Sequence, residues 1–332
     1  MAVINVTPRT DITALIASND VAEGDVLILE EGMYFQTVNV TKNFIQILAK
    51  GPGVIFDGSS ILLTAFILSN VTGVVIEGIN IRHYRDDSII IQSGASNRIV
   101  NNRFNNMLSD GIVLIGSSGN LIWKNEICNC SDGIKLTSGS TNNWIIENTV
   151  KDGFVDAFET SSAADSNNAF ISNIAINHRD RGFAIFGNNN LLLNNLVINH
   201  EAGIVIDVGT DSLAIGNTVK DCRLWGQIVF NEFSNYFASE NYVECNVGVG
   251  MSNISHYGIF LGNKISYNGD NGFTLDELST GNLVKDNKLV CNIPENIIDN
   301  GVDNNLINNI DKPCESPSDV CGNCSNKESI ES

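Results

Sequence analysis

The residues best suited to chemistry gather between positions 132 and 201. Asp132, Lys135, Asp156 and Glu159 are followed by His178-Arg179-Asp180-Arg181 and then by His200-Glu201. Carboxylates held about one strand spacing apart raise each other's pKa, which suits them to acid–base work. Asp156 and Glu159 are therefore the candidate general acid and base, and they also admit a hard cation such as Ca2+. His178 is a candidate proton carrier near neutral pH. Arg179 and Arg181 would neutralise a sugar carboxylate and the enolate-like charge formed when the adjacent proton is removed. Asp132, Lys135, Asp180, His200 and Glu201 are candidate substrate contacts. This set fits β-elimination or C5 epimerisation of a uronic acid, or glycoside hydrolysis by two carboxylates. A plainer reading stands beside it. Asp before Gly is a common turn choice, and the arginines can balance the acidic column.

What has to position these groups is a repeat. Asparagine returns at 102, 125, 148, 173, 195, 217, 241, 263, 287 and 309, in steps of 22 to 25 residues. A fixed period in the twenties sets the architecture before any local signal does. Three residues before each asparagine the side chain is apolar, from Ile99 to Leu306. Two residues after it the column is apolar from Phe104 to Leu289, and only Asp311 departs. The residue directly before it is never apolar. Each repeat also carries a Gly followed by a short alternating strand, as in Asp110-Gly-Ile-Val-Leu and Asp132-Gly-Ile-Lys-Leu. Alternation of period two with β-branched residues predicts strands. The solution is a parallel β-helix, in which equal positions stack about 4.8 Å apart. The asparagines then form an inward ladder that satisfies buried backbone groups, and the glycines supply turn conformations that other residues resist. Where the step is longest, between Asn148 and Asn173, the extra residues are expected around Lys151–Thr160. Aligned strand starts put Asp110, Asp132, Asp156, Arg181 and Glu201 near one column, with Lys135 and Glu159 facing outward.

The asparagine ladder and the Asp-Gly-Ile strand starts resemble the short repeats of the right-handed parallel β-helix, pectin-lyase-like superfamily. The resemblance covers roughly residues 20–311. It implies an all-β, single-stranded right-handed parallel β-helix of about a dozen coils with an N-terminal cap. One fold of this kind hosts many activities. The polygalacturonase motifs of the superfamily are missing, apart from an adjacent acidic pair at Asp86-Asp87. The Asp-Pro-His-type motif of the alginate-type epimerases is only faintly echoed by Val155-Asp-Ala-Phe-Glu159. Pectate lyases need calcium-binding Asp residues and a catalytic Arg, which could be assembled here, though no motif fixes them.

Residues 1–19 read as an N-terminal cap with a short helix from Asp11, 20–311 as the solenoid, and 312–332 as a cysteine-containing tail. The formal charge of −19 argues against nucleic acid, whose phosphates attract Lys and Arg. It fits neutral glycans, or acidic ones bridged by calcium. The N-terminus lacks the basic start and long apolar run of a signal peptide. No stretch approaches the roughly 18 apolar residues of a membrane helix. The expected place is a cell surface or the extracellular space. Of the eight cysteines, Cys222 and Cys245 are 23 apart, which would set them one above the other on neighbouring coils at a spacing a disulfide allows, as a disulfide or as plain thiols. Cys321-x2-Cys324 could be half a zinc site. Trp123 and Trp144 lie on adjacent coils and would cover the solenoid's side, contact another subunit in a homo-oligomer, or stack on sugars. Two functions follow: a protein that binds or modifies a carbohydrate polymer, as a uronate lyase or epimerase, or a non-catalytic structural or adhesive β-helix of a spore, virion or cell surface.

Overall fold

Three or four alternating residues per repeat are too few for a helix and enough for a rung of sheet. The computed structural model describes residues 1–223, 228–230 and 235–315; of 228–230 only the backbone is considered. It comprises two compact units, Met1–Ile174 and Ala175–Ser332. Each is a right-handed parallel β-helix built from three parallel sheets, and the chain makes about 13 turns in total. Among the described residues the one helix is Ile12–Ala17, which Asp11 caps by accepting the Ala14 amide at 2.9 Å. The strand Val3–Val6 already pairs with Val26–Leu29, so part of the expected cap is itself a rung.

In unit one the first sheet stacks Arg98–Val100, Leu121–Trp123, Trp144–Ile146 and Ala169–Ile171 in register. Their middle residues Ile99, Ile122, Ile145 and Phe170 point inward and are fully buried. The second sheet buries Phe104, Ile127 and Val150 in the same way, and the third buries Ile112, Leu114, Ile134 and Leu136. Unit two repeats the scheme with Leu192, Ala214, Ala238, Phe260 and Val284 on its first sheet. Each buried aliphatic side chain contributes about 1.5–3 kcal/mol. A column of them therefore sets the register, because a slip by one residue would turn it outward.

The asparagine column is the expected ladder. The Asn102, Asn125 and Asn148 side chains donate to Asn125, Asn148 and Asn173 at 3.0–3.1 Å, and the same oxygens accept backbone amides. A second ladder runs through Asn97, Asn120, Asn143 and Asn168 at another corner. The residues before the first ladder, Asn101, Lys124, Glu147 and Ser172, have φ of 51–54°. That left-handed conformation resists β-branched residues and explains a column that is never apolar.

The glycines after the Asp column have a different cause from the expected one. Gly111 and Gly133 do not take positive φ. A Cβ on Gly111 would sit 2.5 Å from the Gly133 carbonyl oxygen, and one on Gly133 would meet Val150 and the Ala157 carbonyl. Close approach of backbones, not turn conformation, demands glycine there.

Of the two alternatives for Cys222 and Cys245, a disulfide between them is not formed. Cys222 is a buried free thiol, while Cys245 is bonded elsewhere. A second disulfide joins Cys291 to Cys314 and fastens the chain just after the last described strand, Ile310–Lys312, to its coil. Cys321 and Cys324, with Trp225, lie outside the described residues.

Candidate functional site

The corner between the second and third sheets of unit one collects the charge. Asp87 Oδ1 accepts the Asp110 amide at 3.3 Å, Asp110 Oδ1 the Asp132 amide at 3.0 Å, and Asp132 Oδ1 the Asp156 amide at 2.9 Å. The strand starts thus carry a carboxylate ladder one coil per rung. It extends upward to Asp87, which the repeat spacing of 23, 22 and 24 residues already marks. Its members are largely buried. Burial, then the charges of Asp132 and Asp87, push the Asp110 carboxyl up to about 7. Burial also raises Asp87.

Beside this ladder the third sheet pairs Ile134–Thr137 with Phe158–Thr160, which sets Lys135 opposite Glu159 on the outer surface. Lys135 Nζ lies 2.6 Å from Glu159 Oε2 and 2.9 Å from Asp132 Oδ2. Burial would lower the Lys135 pKa, but these two bonds outweigh it and push it up. Burial raises the Glu159 carboxyl, and Asp132 adds to the rise against the pull of Lys135. Oxygens of Asp132, Asp156 and Glu159 lie within 4.8 Å of one another, close enough to share one cation, and Lys135 competes for two of them. Asp132, Lys135, Asp156 and Glu159 are therefore brought together.

The other candidates lie in unit two. His178 and His200 stack at 5.8 Å inside the coil, both 0 % exposed. Burial drives the His200 pKa down to about 3 against the pull of the Ala175 carbonyl, so its ring is neutral at ordinary pH. Neither imidazole is presented to solvent. Arg179 is exposed, and Arg181 lies 3.7 Å from Asp180 on the surface. Arg181 pairs with Ala202, so Glu201 falls one position outside its column.

The two extra residues of the long step are divided. The turn 152–157 has six residues where 129–133 has five, and a second lengthening falls at 161–168, beyond the expected 151–160. Asp165 closes that second loop, accepting the Gly139 and Ser140 amides at 2.9 and 2.8 Å. A further polar cluster escaped the sequence reading. Asp57 accepts Arg82 Nε at 2.8 Å and contacts His83 Nδ1 at 3.2 Å. Burial opposes ionisation of Asp57, but the Ser59 amide, Arg82 and His83 together hold its carboxyl low.

A coil of three parallel sheets stacked in register defines a class of solenoid. The chain belongs to the right handed beta helix region family, whose model matches residues 52–224. No curated protein matches it. Among solved structures it is similar to a mannuronic acid specific polysaccharide family 6 lyase from human gut microbiota, at 15 % identity and TM-score 0.65, over 91 % of this chain and 83 % of that one. It is similar to the A-module of a mannuronan C-5 epimerase of Azotobacter vinelandii, at 12 % identity and TM-score 0.57, over 92 % of both chains. The catalytic domain of a GH87 alpha-1,3-glucanase aligns at 13 % identity and TM-score 0.61, over 95 % of this chain and 68 % of the other. At these identities the likeness is one of fold.

Proposed function

We propose that this protein modifies a uronate-bearing polysaccharide by β-elimination or C5 epimerisation, at the cluster of Asp132, Lys135, Asp156 and Glu159. The carrying observation is Lys135, clamped between two carboxylates on the outer surface of the third sheet. Both reactions begin by removing the C5 proton beside the sugar carboxylate. Glu159, whose affinity for a proton is raised, is assigned as the base. Lys135 supplies the cation that neutralises the sugar carboxylate and the charge developing on it. In elimination the electron pair left at C5 forms the C4–C5 double bond, the C4–O bond breaks, and the leaving oxygen takes a proton from Asp156. In epimerisation Glu159 keeps the proton it removed, and a proton from solvent water is delivered to C5 on the opposite face. Asp132, Asp156 and Glu159 would also suit a Ca2+ ion, which would supply positive charge toward the sugar carboxylate in place of Lys135, and Glu159 and Asp156 would then not be free to act as base and acid. No role at this cluster is assigned to Arg179 and Arg181, which belong to unit two. His178 and His200, enclosed in the coil, are assigned none. The fold's similarity to a mannuronic acid specific lyase and a mannuronan epimerase supports this substrate class.

Polymannuronate and polygalacturonate, incubated with and without Ca2+, are to be followed by unsaturated-uronate absorbance and by C5 configuration in NMR. Turnover is expected, with Glu159→Gln and Lys135→Met each lowering it about 100-fold or more. Full activity in both variants would remove the site from consideration. A second reading, a non-catalytic adhesive or structural β-helix, is favoured by the outward side chains Leu191, Leu193, Leu213 and Ile215 on the first sheet of unit two. Absence of turnover and of binding to either polymer would favour that reading.

A further inference from the structure

We propose that Leu108 and Phe154 are the walls of a notch that seats one pyranose ring of the polysaccharide beside the Asp132–Glu159 cluster. This assignment rests on the function proposed above.

The notch follows from turn lengths. Three successive coils of unit one cross the same corner through turns 106–111, 129–133 and 152–157. The outer two have six residues and the middle one has five. The shorter turn lies in, and its neighbours stand out. At equal positions, two residues before the ladder carboxylates Asp110, Asp132 and Asp156, the chain has Leu108, Cys130 and Phe154. Leu108 is 70 % exposed, Cys130 is 0 % and Phe154 is 59 %. The alignment is held by backbone bonds, Ser131 to Ser109 at 2.9 Å, Phe154 to Cys130 at 2.9 Å and Val155 to Ser131 at 3.2 Å.

Two apolar side chains therefore stand in solvent two rungs apart, roughly 10 Å between backbones. A ring in van der Waals contact on both sides needs roughly 7–8 Å between the flanking carbons. The floor is polar, with the half-buried Ser131 leading to Asp132. Phe154 is two residues from Asp156, so their Cα atoms are at most about 7 Å apart. A pyranose has what this notch asks for: apolar C–H faces for the walls and equatorial hydroxyls for the floor. The choice of a sugar over an apolar peptide comes from the cluster at the foot of the notch, where carboxylates and an ammonium meet. Turning Phe154 toward solvent gives up the benefit of burial, and a stacked sugar face restores it.

The test uses the full chain with polymannuronate oligosaccharides, measuring Kd by calorimetry and KM against kcat where turnover occurs. Phe154→Ala is expected to raise Kd and KM about tenfold with kcat within twofold. Phe154→Trp is expected to restore wild-type values. Phe35→Ala, which removes an exposed phenyl ring elsewhere in unit one, serves as control and is expected to change neither. If the wild type binds and Phe154→Ala binds equally well, the notch is overturned while the function proposed above stands. If the wild type binds no oligosaccharide, that function falls and the notch with it. Circular dichroism of Phe154→Ala establishes that the fold is intact, since the side chain it removes is exposed.

Discussion

Asp110 is the residue whose chemistry depends most on its neighbours. Its carboxyl rises from 3.8 to about 7 because it is buried and because Asp132 and Asp87 lie above and below it, with Lys135 the opposing charge. The raised carboxyl binds its proton more readily in the fold than in the unfolded chain. Its contribution is thus full below about pH 4 and is lost as pH rises through about 7. By linkage the loss at pH 8 is on the order of 2–4 kcal/mol. Asp110→Asn keeps the Oδ1 that accepts the Asp132 amide and removes the charge. Thermal and urea midpoints of this variant are expected to exceed those of the wild type at pH 8 and to match them at pH 4. An equal gain at both pH values would mean that something other than ionisation is at work. The sequence shows Asp110 and its spacing from Asp132 and Asp156, so the column is legible. Its connection to Asp87 is obscured by the Asp86-Asp87 pair, and burial depth has no sequence signal. Histidine misleads in the other direction. His178 reads as a proton carrier and His200 as a substrate contact because of their polar neighbours, but both rings pack inside the coil.

At the level of the single turn, the repeat period reveals which positions are special and hides why. The asparagine ladder is legible as a ladder because identical residues stack only where the coil demands it. The second ladder is equally regular in the structure and shares the same spacing, yet it stands among other polar residues and is harder to see. The left-handed column before Asn102 and its successors reads in sequence only as a run of mixed polar residues. Gly133 is the sharpest case. Its place after Asp suggests a turn conformation, whereas the structure assigns it to close approach. Gly133→Ala would drive a Cβ against Val150 and within 2.5 Å of the Ala157 carbonyl oxygen, neither of which can leave without breaking a rung. The expected cost is about 2–4 kcal/mol, comparable to other core overpacking. Gly262→Ala meets no atom within 4 Å and is opposed only by its φ of 65°, so about 1–2 kcal/mol is expected. Chemical denaturation of the two variants orders them. A Gly262→Ala loss larger than that of Gly133→Ala would overturn the close-approach account.

For the molecule as a whole, a solenoid is stabilised by its own coils and their nearest neighbours, and its ends are the weak points. An open end leaves a strand edge and apolar side chains to water. Among the described residues the last strand, Ile310–Lys312, is exposed at every residue, while its pairing partner Lys288–Val290 precedes Cys291 directly. The Cys291–Cys314 bond ties the chain just after that strand back onto the coil beneath it. It closes a loop of 23 residues, which corresponds to about 3 kcal/mol of chain entropy removed from the unfolded state. In a nearest-neighbour solenoid that stabilisation is felt locally. Cys314→Ser, which removes this bond and leaves that of Cys245, is therefore expected to increase amide hydrogen exchange in the strands Leu283–Lys285, Lys288–Val290 and Ile310–Lys312, and to leave exchange in Arg98–Val100 and Leu121–Trp123 unchanged. Cys222, buried with its thiol pushed up to about 12, serves as an internal control because it does not react until the coil opens. Increased exchange throughout both units in Cys314→Ser would show that the coils unfold as one body and that the bond is not a local fastening. Exchange that does not change anywhere would show that the last coils hold without it.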